Sequence, residues 1–412
     1  MFLYKALYFF KRIDYQVSMW LDKAVINWRL RKHQRRQIDK TAIKTILLLR
    51  NDGIGDMVIT TALIRVLAQH GYQVSVMSQK SALEIIQNNP HVAHTFVWRD
   101  NYSSGEMRQV EQQVREQHFD LIIDMRYPVY FKHSPHRIML PYYLGGKYTL
   151  GWNKSALKCY DASINHYTRR GHYITLVQKF LAFLDIHNAD LSYEFFIDPA
   201  AEAAAGSFID ALRTDHGKVI VLNPFSGHPR RDMTNEQIRQ SIELLLSKYP
   251  QAHFIAIGVK TRVEKLIDTL KIERLVYYNS KSILDVVPLI QRADLVISPD
   301  TSIIHVVAAF QKPLVGLYAS GRRTPRSLSD VKTHIKEKYH EQVDEARARF
   351  FDGPNVRAGT RPKGKLLLVE NSFGPNNKNA IQLKNYTHRL SEIPAEAIFE
   401  ACDQLLSRTG PA

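Results

Sequence analysis

Residues 47–67, LLLRNDGIGDMVITTALIRVL, begin as an apolar strand, break at two glycines, Gly53 and Gly55, and resume as a helix with a carboxylate, Asp56, at its start. Glycine takes backbone conformations closed to other residues, so a turn of this kind brings amides close to a ligand. Asp56 then has two readings. As a helix N-cap, its side-chain oxygen accepts a hydrogen bond from an unpaired amide of the first turn. As a carboxylate at the lip of a cleft, where an open α/β sheet keeps its ligands, it can take the proton of an attacking hydroxyl.

A second constellation lies at 293–310, ADLVISPDTSIIHVVAAF. A strand ends at Ser298, Pro299 turns the chain, and Asp300, Thr301 and Ser302 lead into a helix that continues through Ile303, Ile304 and His305. The free amides of such a terminus form a ready anion site, and this one suits a diphosphate. Capping by Asp300 or Thr301, with His305 packed nearby, is the alternative. A third loop, NPFSGHPRRDMT at 223–234, places Ser226, Gly227, Arg230 and Arg231 after a strand and before a helix capped by Thr234. Adjacent arginines are commonly solvated; at a cleft edge they neutralise charge on a departing phosphate. No Asp-x-Asp pair is positioned to hold Mg²⁺ between phosphates, so no metal site is expected. Cys159 and Cys402 lie far apart without ligand-like spacing, which leaves neither a zinc site nor a disulfide framework and makes a reducing cytoplasm the default.

The elements that must carry these loops alternate. From Thr45 the pattern runs TILLLR, a helix from Asp56, QVSVMS, a helix from about Ser81, TFVW, a helix to about Gln117, and DLIIDM. A less regular stretch, 126–197, is rich in Tyr, His, Arg and Lys. The alternation then restarts with KVIVLNPFSG, HFIAIG, a short strand near Val276, DLVISPDTS and PLVGLY, each joined by a helix. Such alternation predicts parallel sheets with right-handed crossovers. With 412 residues the chain exceeds one typical core, and the join falls near Asp198 and Pro199. The expected division is a basic amphipathic segment at 1–43, an α/β domain at 44–198, and a second α/β domain at 199–412. Two such domains leave a ligand cleft between the carboxyl ends of their strands.

Lys and Arg number 56 against 40 acidic residues, a net charge of +16, which points to an anionic partner. At the N-terminus, Leu3, Leu7, Phe10, Ile13 and Val17 recur at helical spacing, with Trp20 and Trp28 beyond them and the cations Arg29, Arg31, Lys32, Arg35 and Arg36 following. Lys5, Lys11, Arg12 and Lys23 interrupt the apolar residues before any run can span a bilayer, and no signal-peptide pattern is present. The segment suits the interface of an acidic membrane, and equally a helix packed on the protein's own surface. A nucleic-acid-binding scaffold would carry similar charge, but no nucleic-acid motif is found and no nucleic-acid partner is expected. A nicotinamide-dependent dehydrogenase needs a third glycine that GIGD lacks.

The three loop motifs, GIGDMVITTALIRVL, LNPFSG with its basic residues and helix, and ADLVISPDTSIIHVVAAF followed by KPLVGLY, resemble in order and spacing the lipopolysaccharide heptosyltransferases of glycosyltransferase family 9. The resemblance covers about residues 44–320. It implies an α/β GT-B fold, two Rossmann-like domains with parallel sheets facing across a cleft, the first binding acceptor and the second ADP-heptose or a related nucleotide sugar. It further implies metal-independent transfer with inversion and no cofactor beyond the donor. The acceptor would be an anionic, lipid-linked oligosaccharide, met by a peripheral enzyme at the inner face of the cytoplasmic membrane. By motif position, Asp56 matches the catalytic aspartate, and Arg231 falls where a lysine commonly lies near the donor phosphates. Glu264 falls near a ribose-binding glutamate, and Asp300 to His305 match the pyrophosphate loop. Two departures stand out: Ser302 replaces a glycine of that loop, and the planar fork of Arg231 replaces an ammonium. Beyond Tyr318 the resemblance fades into a charged insertion near 322–364.

Overall fold

A computed structural model describes residues 17, 20–50, 53–99, 104–126, 135–166, 172–213, 217–319, 374–385 and 389–408. The insertion at 322–364 and the apolar positions Leu3, Leu7, Phe10 and Ile13 lie outside the described residues. After a helix over 20–29 (α1), the first half runs β1 (Thr45–Arg50), α2 (Ile54–Gln69), β2 (Gln73–Ser78), α3 (Lys80–Leu83), β3 (Val92–Val97), α4 (Ser104–Arg115), β4 (Leu121–Asp124), α5 (Pro135–Tyr143), β5 (Tyr148–Trp152), β6 (Ala162–Ile164) and α6 (Ile174–Phe183). The second runs α7 (Pro199–Leu212), β7 (Val219–Leu222), α8 (Asn235–Lys248), β8 (His253–Ala256), α9 (Lys260–Leu270), β9 (Leu275–Tyr277), α10 (Ile283–Arg292), β10 (Leu295–Pro299), α11 (Ser302–Ala309), β11 (Leu314–Ala319), β12 (Ala380–Asn385) and α12 (Ala395–Leu406).

Each half holds a six-stranded sheet, in the orders β3-β2-β1-β4-β5-β6 and β9-β8-β7-β10-β11-β12. Every pairing is parallel. The order is therefore the same in both, and it reverses direction between β1 and β4 and again between β7 and β10. Loops leaving the strands at these two switch points splay apart and open a crevice, which is where ligands of open α/β sheets bind. The Asp56 loop follows β1, the 223–234 loop follows β7, and the Asp300 loop follows β10, so sequence order alone brings all three to switch points.

The central strands are continuous apolar runs because helices cover both their faces. Ile46 to Leu49 and Val219 to Leu222 are buried throughout. Helix α2 is buried on nearly every side, as it packs on its own sheet, on α6 and on α11 of the other half. One apolar core accordingly crosses the junction, joining Met57, Leu63 and Phe180 to Leu289, Ile304 and Val307. Asp198 accepts a hydrogen bond from Ala200 N–H and caps α7, which packs against α10.

Several expectations need correction. Helix α2 starts at Ile54, so Asp56 is its third residue rather than its first. The irregular stretch contains two strands, β5 and β6, and a further strand, β12, follows residue 374. Helix α1 docks on the first half through Ile26 and Leu30, which pack with Ile138, Met139, Leu157 and Tyr160. Of the five cations Arg29, Arg31, Lys32, Arg35 and Arg36, two are tied to distant parts of the first half. Arg35 donates to the carbonyls of Ser155 and Leu157, and Arg36 pairs with the buried Asp161 at 3.0 Å.

Candidate active site

The carboxylate of Asp56 is held from two sides. Its Oδ1 accepts from Arg50 Nη2 at 2.7 Å, and its Oδ2 accepts from the Gly53 N–H at 3.0 Å. The second contact is the backward reach of a third-position acid to the amide before its helix, the acidic half of a capping box. Asp56 thus helps to cap α2 and still presents a carboxylate that is 23% exposed. Arg50 closes β1, where its side chain is almost wholly buried, and was not singled out from sequence.

The glycines act differently from expectation. Gly53 has φ near −77° and Gly55 lies within the helix, so neither occupies the left-handed region. Gly55 is required by proximity: a Cβ there would lie 2.7 Å from Cδ2 of His305 and 3.5 Å from the Cα of Ser302. The first turns of α2 and α11 therefore meet across the junction. Each helix terminus carries about half a positive charge, so two ends of the sign that favours an anion lie side by side.

On the second half, the loop after β10 is built on Thr301. Its Oγ1 accepts from the Ile303 N–H at 3.3 Å and caps α11, which leaves Asp300 just outside the helix. Asn223, the first residue after β7, donates from Nδ2 to Ser298 Oγ at 2.9 Å and to Thr301 Oγ1 at 3.0 Å, tying the two switch-point loops together. Ser302 starts the helix; Ile303, Ile304 and His305 are buried behind it. Burial, with the field of His172 added, pushes the His305 ring down to about 3, so it is neutral near pH 7. Its Nδ1 is buried and has no hydrogen-bond partner among the described residues. Asp300 Oδ2 lies 3.7 Å from Arg231 Nη1. Burial raises the Asp300 carboxyl above its ordinary range, and Arg231 opposes that rise.

The structure brings Gly55 to Ser302 and His305, holds Asp56 beside Gly53, and sets Arg231 near Asp300. Other assigned residues stand apart from these contacts. Ser226 is committed to Asp232, which accepts from its N–H at 2.6 Å and from its Oγ at 3.2 Å. Gly227 is exposed, and a Cβ on it would meet nothing within 4 Å, so no close approach requires a glycine there. Arg230 lies on the short turn Pro229–Arg231, its N–H donating to His228 Nδ1. Glu264 pairs with Lys260 at 3.7 Å along the exposed face of α9.

A charged network that sequence reading missed lies beneath the first switch point. Asp124, wholly buried at the end of β4, accepts from Arg126 Nε and Nη2 at 2.8 Å, from Lys154 Nζ at 2.8 Å and from Tyr160 OH at 2.6 Å. Burial works against the charge of this carboxyl, yet Arg126 and Lys154 outweigh it and hold the group well below the usual carboxylate range. Charged residues ending buried strands, as Arg50 and Asp124 do, were the available signal, because an ion at such a position must find partners.

Comparison with known proteins identifies the family and the fold. The sequence profile of glycosyltransferase family 9 (heptosyltransferase) matches residues 107–351, more than half of the chain. A relative from Escherichia coli K12, provisionally named lipopolysaccharide heptosyltransferase 4, is 22% identical over 301 residues, covering 71% of this chain and 79% of its own. The family 9 glycosyltransferase of Veillonella parvula superposes with a TM-score of 0.64 at 14% identity, covering 89% of this chain and 97% of that one. The ADP-heptose lipopolysaccharide heptosyltransferase II of E. coli gives 0.60 at 13% identity, with 89% and 99% covered. The E. coli heptosyltransferase WaaC with ADP gives 0.59 at 15% identity, with 88% and 99% covered. These superpositions show the fold, GT-B, and the profile match takes in both loops of the second switch point. On that match the chain belongs to glycosyltransferase family 9, the heptosyltransferases.

Proposed function

We propose that this enzyme transfers heptose from ADP-heptose to the lipopolysaccharide or lipooligosaccharide core by a single inverting displacement without a metal ion. The observation that supports the proposal is the meeting of Gly55 with Ser302 and His305, by which the first turn of α2, the turn that carries Asp56, packs against the first turn of α11. The acceptor hydroxyl attacks the anomeric carbon from the face opposite ADP, and its proton passes to Asp56. The bond from that carbon to the phosphate oxygen breaks, and its electron pair leaves with ADP. The amides at the start of α11 and the guanidinium of Arg231 stabilise the charge that develops, so the protein itself supplies what a cation would. Ligands of related structures support the nucleotide: ADP in one complex and ADP-2-deoxy-2-fluoro heptose in another.

The acceptor is lipid-linked and anionic in this reading, and the enzyme works peripherally at the inner face of the cytoplasmic membrane. Helix α1 supports this. Its inner face is fixed by Ile26 and Leu30, while Trp20, Leu21, Val25 and Trp28 on the outer face are 59%, 48%, 36% and 65% exposed. An exposed apolar stripe with two tryptophans, flanked by Lys23, Arg29, Arg31 and Lys32, fits the headgroup region of an anionic bilayer. No helix of the described residues is long and apolar enough to cross a membrane. The donor reading is tested by incubating the protein with ADP-heptose and heptose-deficient lipooligosaccharide in EDTA. Transfer with inverted anomeric configuration is expected; strict dependence on added Mg²⁺, or a retained configuration, contradicts it. The membrane reading expects sedimentation with phosphatidylglycerol vesicles at low salt, lost in a Trp20→Ser, Trp28→Ser variant; unchanged sedimentation contradicts it.

A further inference from the structure

The side chain of Arg50 is only 1% exposed, and desolvating a guanidinium costs several kcal/mol unless its donors are satisfied. Three acceptors on three different elements meet it. Nη1 donates to the Met125 carbonyl just beyond β4 at 3.1 Å and to Tyr173 OH at the entry to α6 at 2.5 Å; Nη2 donates to Asp56 at 2.7 Å. The Tyr173 ring lies 4.6 Å from the guanidinium carbon. Tyr173 OH donates in turn to the Met125 carbonyl at 3.2 Å, which also accepts from Trp152 Nε1 at 3.1 Å. These contacts tie the buried Arg50 to α2, to the end of β4 and to the entry of α6. Of these three acceptors among the described residues, Asp56 is the charged one, and its side chain is 23% exposed.

We propose that Arg50 is a positioning residue, a buried strut that fixes the Asp56 carboxylate in the orientation from which it takes the acceptor proton. This rests on the reading of Asp56 as the base. A carboxylate has about four lone-pair sites. Arg50 and the Gly53 N–H, both on the protein side, occupy one on each oxygen and leave the remainder for a hydroxyl. Without the strut the side chain is free to change rotamer, and a misplacement of about 1 Å costs on the order of 10²-fold in rate.

The test measures kcat with ADP-heptose and O-deacylated, heptose-deficient lipooligosaccharide, and ADP affinity by calorimetry. Arg50→Met is expected to lower kcat by about 10²-fold while ADP affinity stays within about threefold, with Arg50→Lys between it and the native enzyme. In an Asp56→Asn background, Arg50→Met should change kcat by less than about twofold, because a residue acting through another loses its effect when that other is removed. Multiplying losses, or a folded Arg50→Met with normal kcat, overturns the inference. If Arg50→Met does not fold, Arg50→Lys decides: native kcat in that variant, or its failure to fold, makes Arg50 a structural tie only. Near-normal turnover of Asp56→Asn is a different result, since it removes the base itself.

Discussion

Between β1 and β4, the switch point of the first sheet is filled by partnered ions, a pair and a trio: Arg50 with Asp56, and Asp124 with Arg126 and Lys154. Between β7 and β10, the same point of the second sheet is filled by an amide and two hydroxyls, Asn223, Ser298 and Thr301, backed by a neutral His305. The charged pair nearest that second point, Arg231 and Asp300, stands 3.7 Å apart with the arginine 53% exposed. One strand order therefore carries two kinds of site. Ions in the first half satisfy one another and hold the Asp56 carboxylate, the proposed base, in place. Uncharged groups in the second orient helix amides without neutralising them, so the terminus of α11 stays available to a phosphate.

The largest effect expected from breaking this contrast is on turnover. Asp56→Asn keeps the size of the side chain and removes the base, so kcat should fall by about 10²–10⁴-fold in a protein that unfolds normally in denaturant. Next is the contact between the halves. Gly55→Ala places a methyl against a buried ring, and overpacking of this kind costs about 1–3 kcal/mol. Chemical denaturation should show that loss, with kcat reduced as well. The matched control is Gly53→Ala, whose Cβ would meet Asp56 Oδ2 at an ordinary 3.6 Å and should leave stability nearly unchanged.

A smaller effect separates the neutral site from the charged one by pH. His305 is held down to about 3 in the folded protein, mainly by burial, against about 6.5 when unfolded. Below about pH 6.5 the unfolded chain takes up a proton that the native ring refuses. Stability is therefore complete above that value and falls by about 1.4 kcal/mol per pH unit as pH drops toward 3. His166, pushed down to about 4 by burial and Lys179, adds a slope of the same sign. Urea unfolding between pH 7.5 and 5 should show the decline, and His305→Gln should make it shallower, leaving the part that His166 contributes. The smallest effect concerns the cap: Thr301→Val removes the acceptor for Ile303 N–H and should cost about 0.5–2 kcal/mol, read by thermal unfolding.

What could be read from sequence follows the same division. The alternation of strands and helices and the loop at Asp300 were legible because apolar runs and capping residues are local signals. Strand β5, YTLGW, was not, since Gly151 interrupts its pattern. That glycine makes room for the Tyr160 ring, which would lie 2.8 Å from a Cβ there. Gly55 was noticed for the wrong reason: the neighbour that excludes a side chain is His305, 250 positions away, and no local pattern announces it. Arg50 reads as the polar end of a strand, and only the fold reveals three acceptors converging on it. Arg35 and Arg36 read as part of a basic patch because their partners, Ser155, Leu157 and Asp161, are equally remote.

The division of labour between the two switch points is tested most directly by titrating ADP into the native protein, Asp56→Asn and Arg231→Ala by calorimetry. The donor belongs to the second half in this account. Asp56→Asn should then bind ADP within about threefold of the native affinity, as expected for a group acting in the transition state, while Arg231→Ala binds it about tenfold more weakly through loss of a charge-assisted contact. Native affinity in Arg231→Ala together with a large loss in Asp56→Asn would place the nucleotide on the first half and contradict the account.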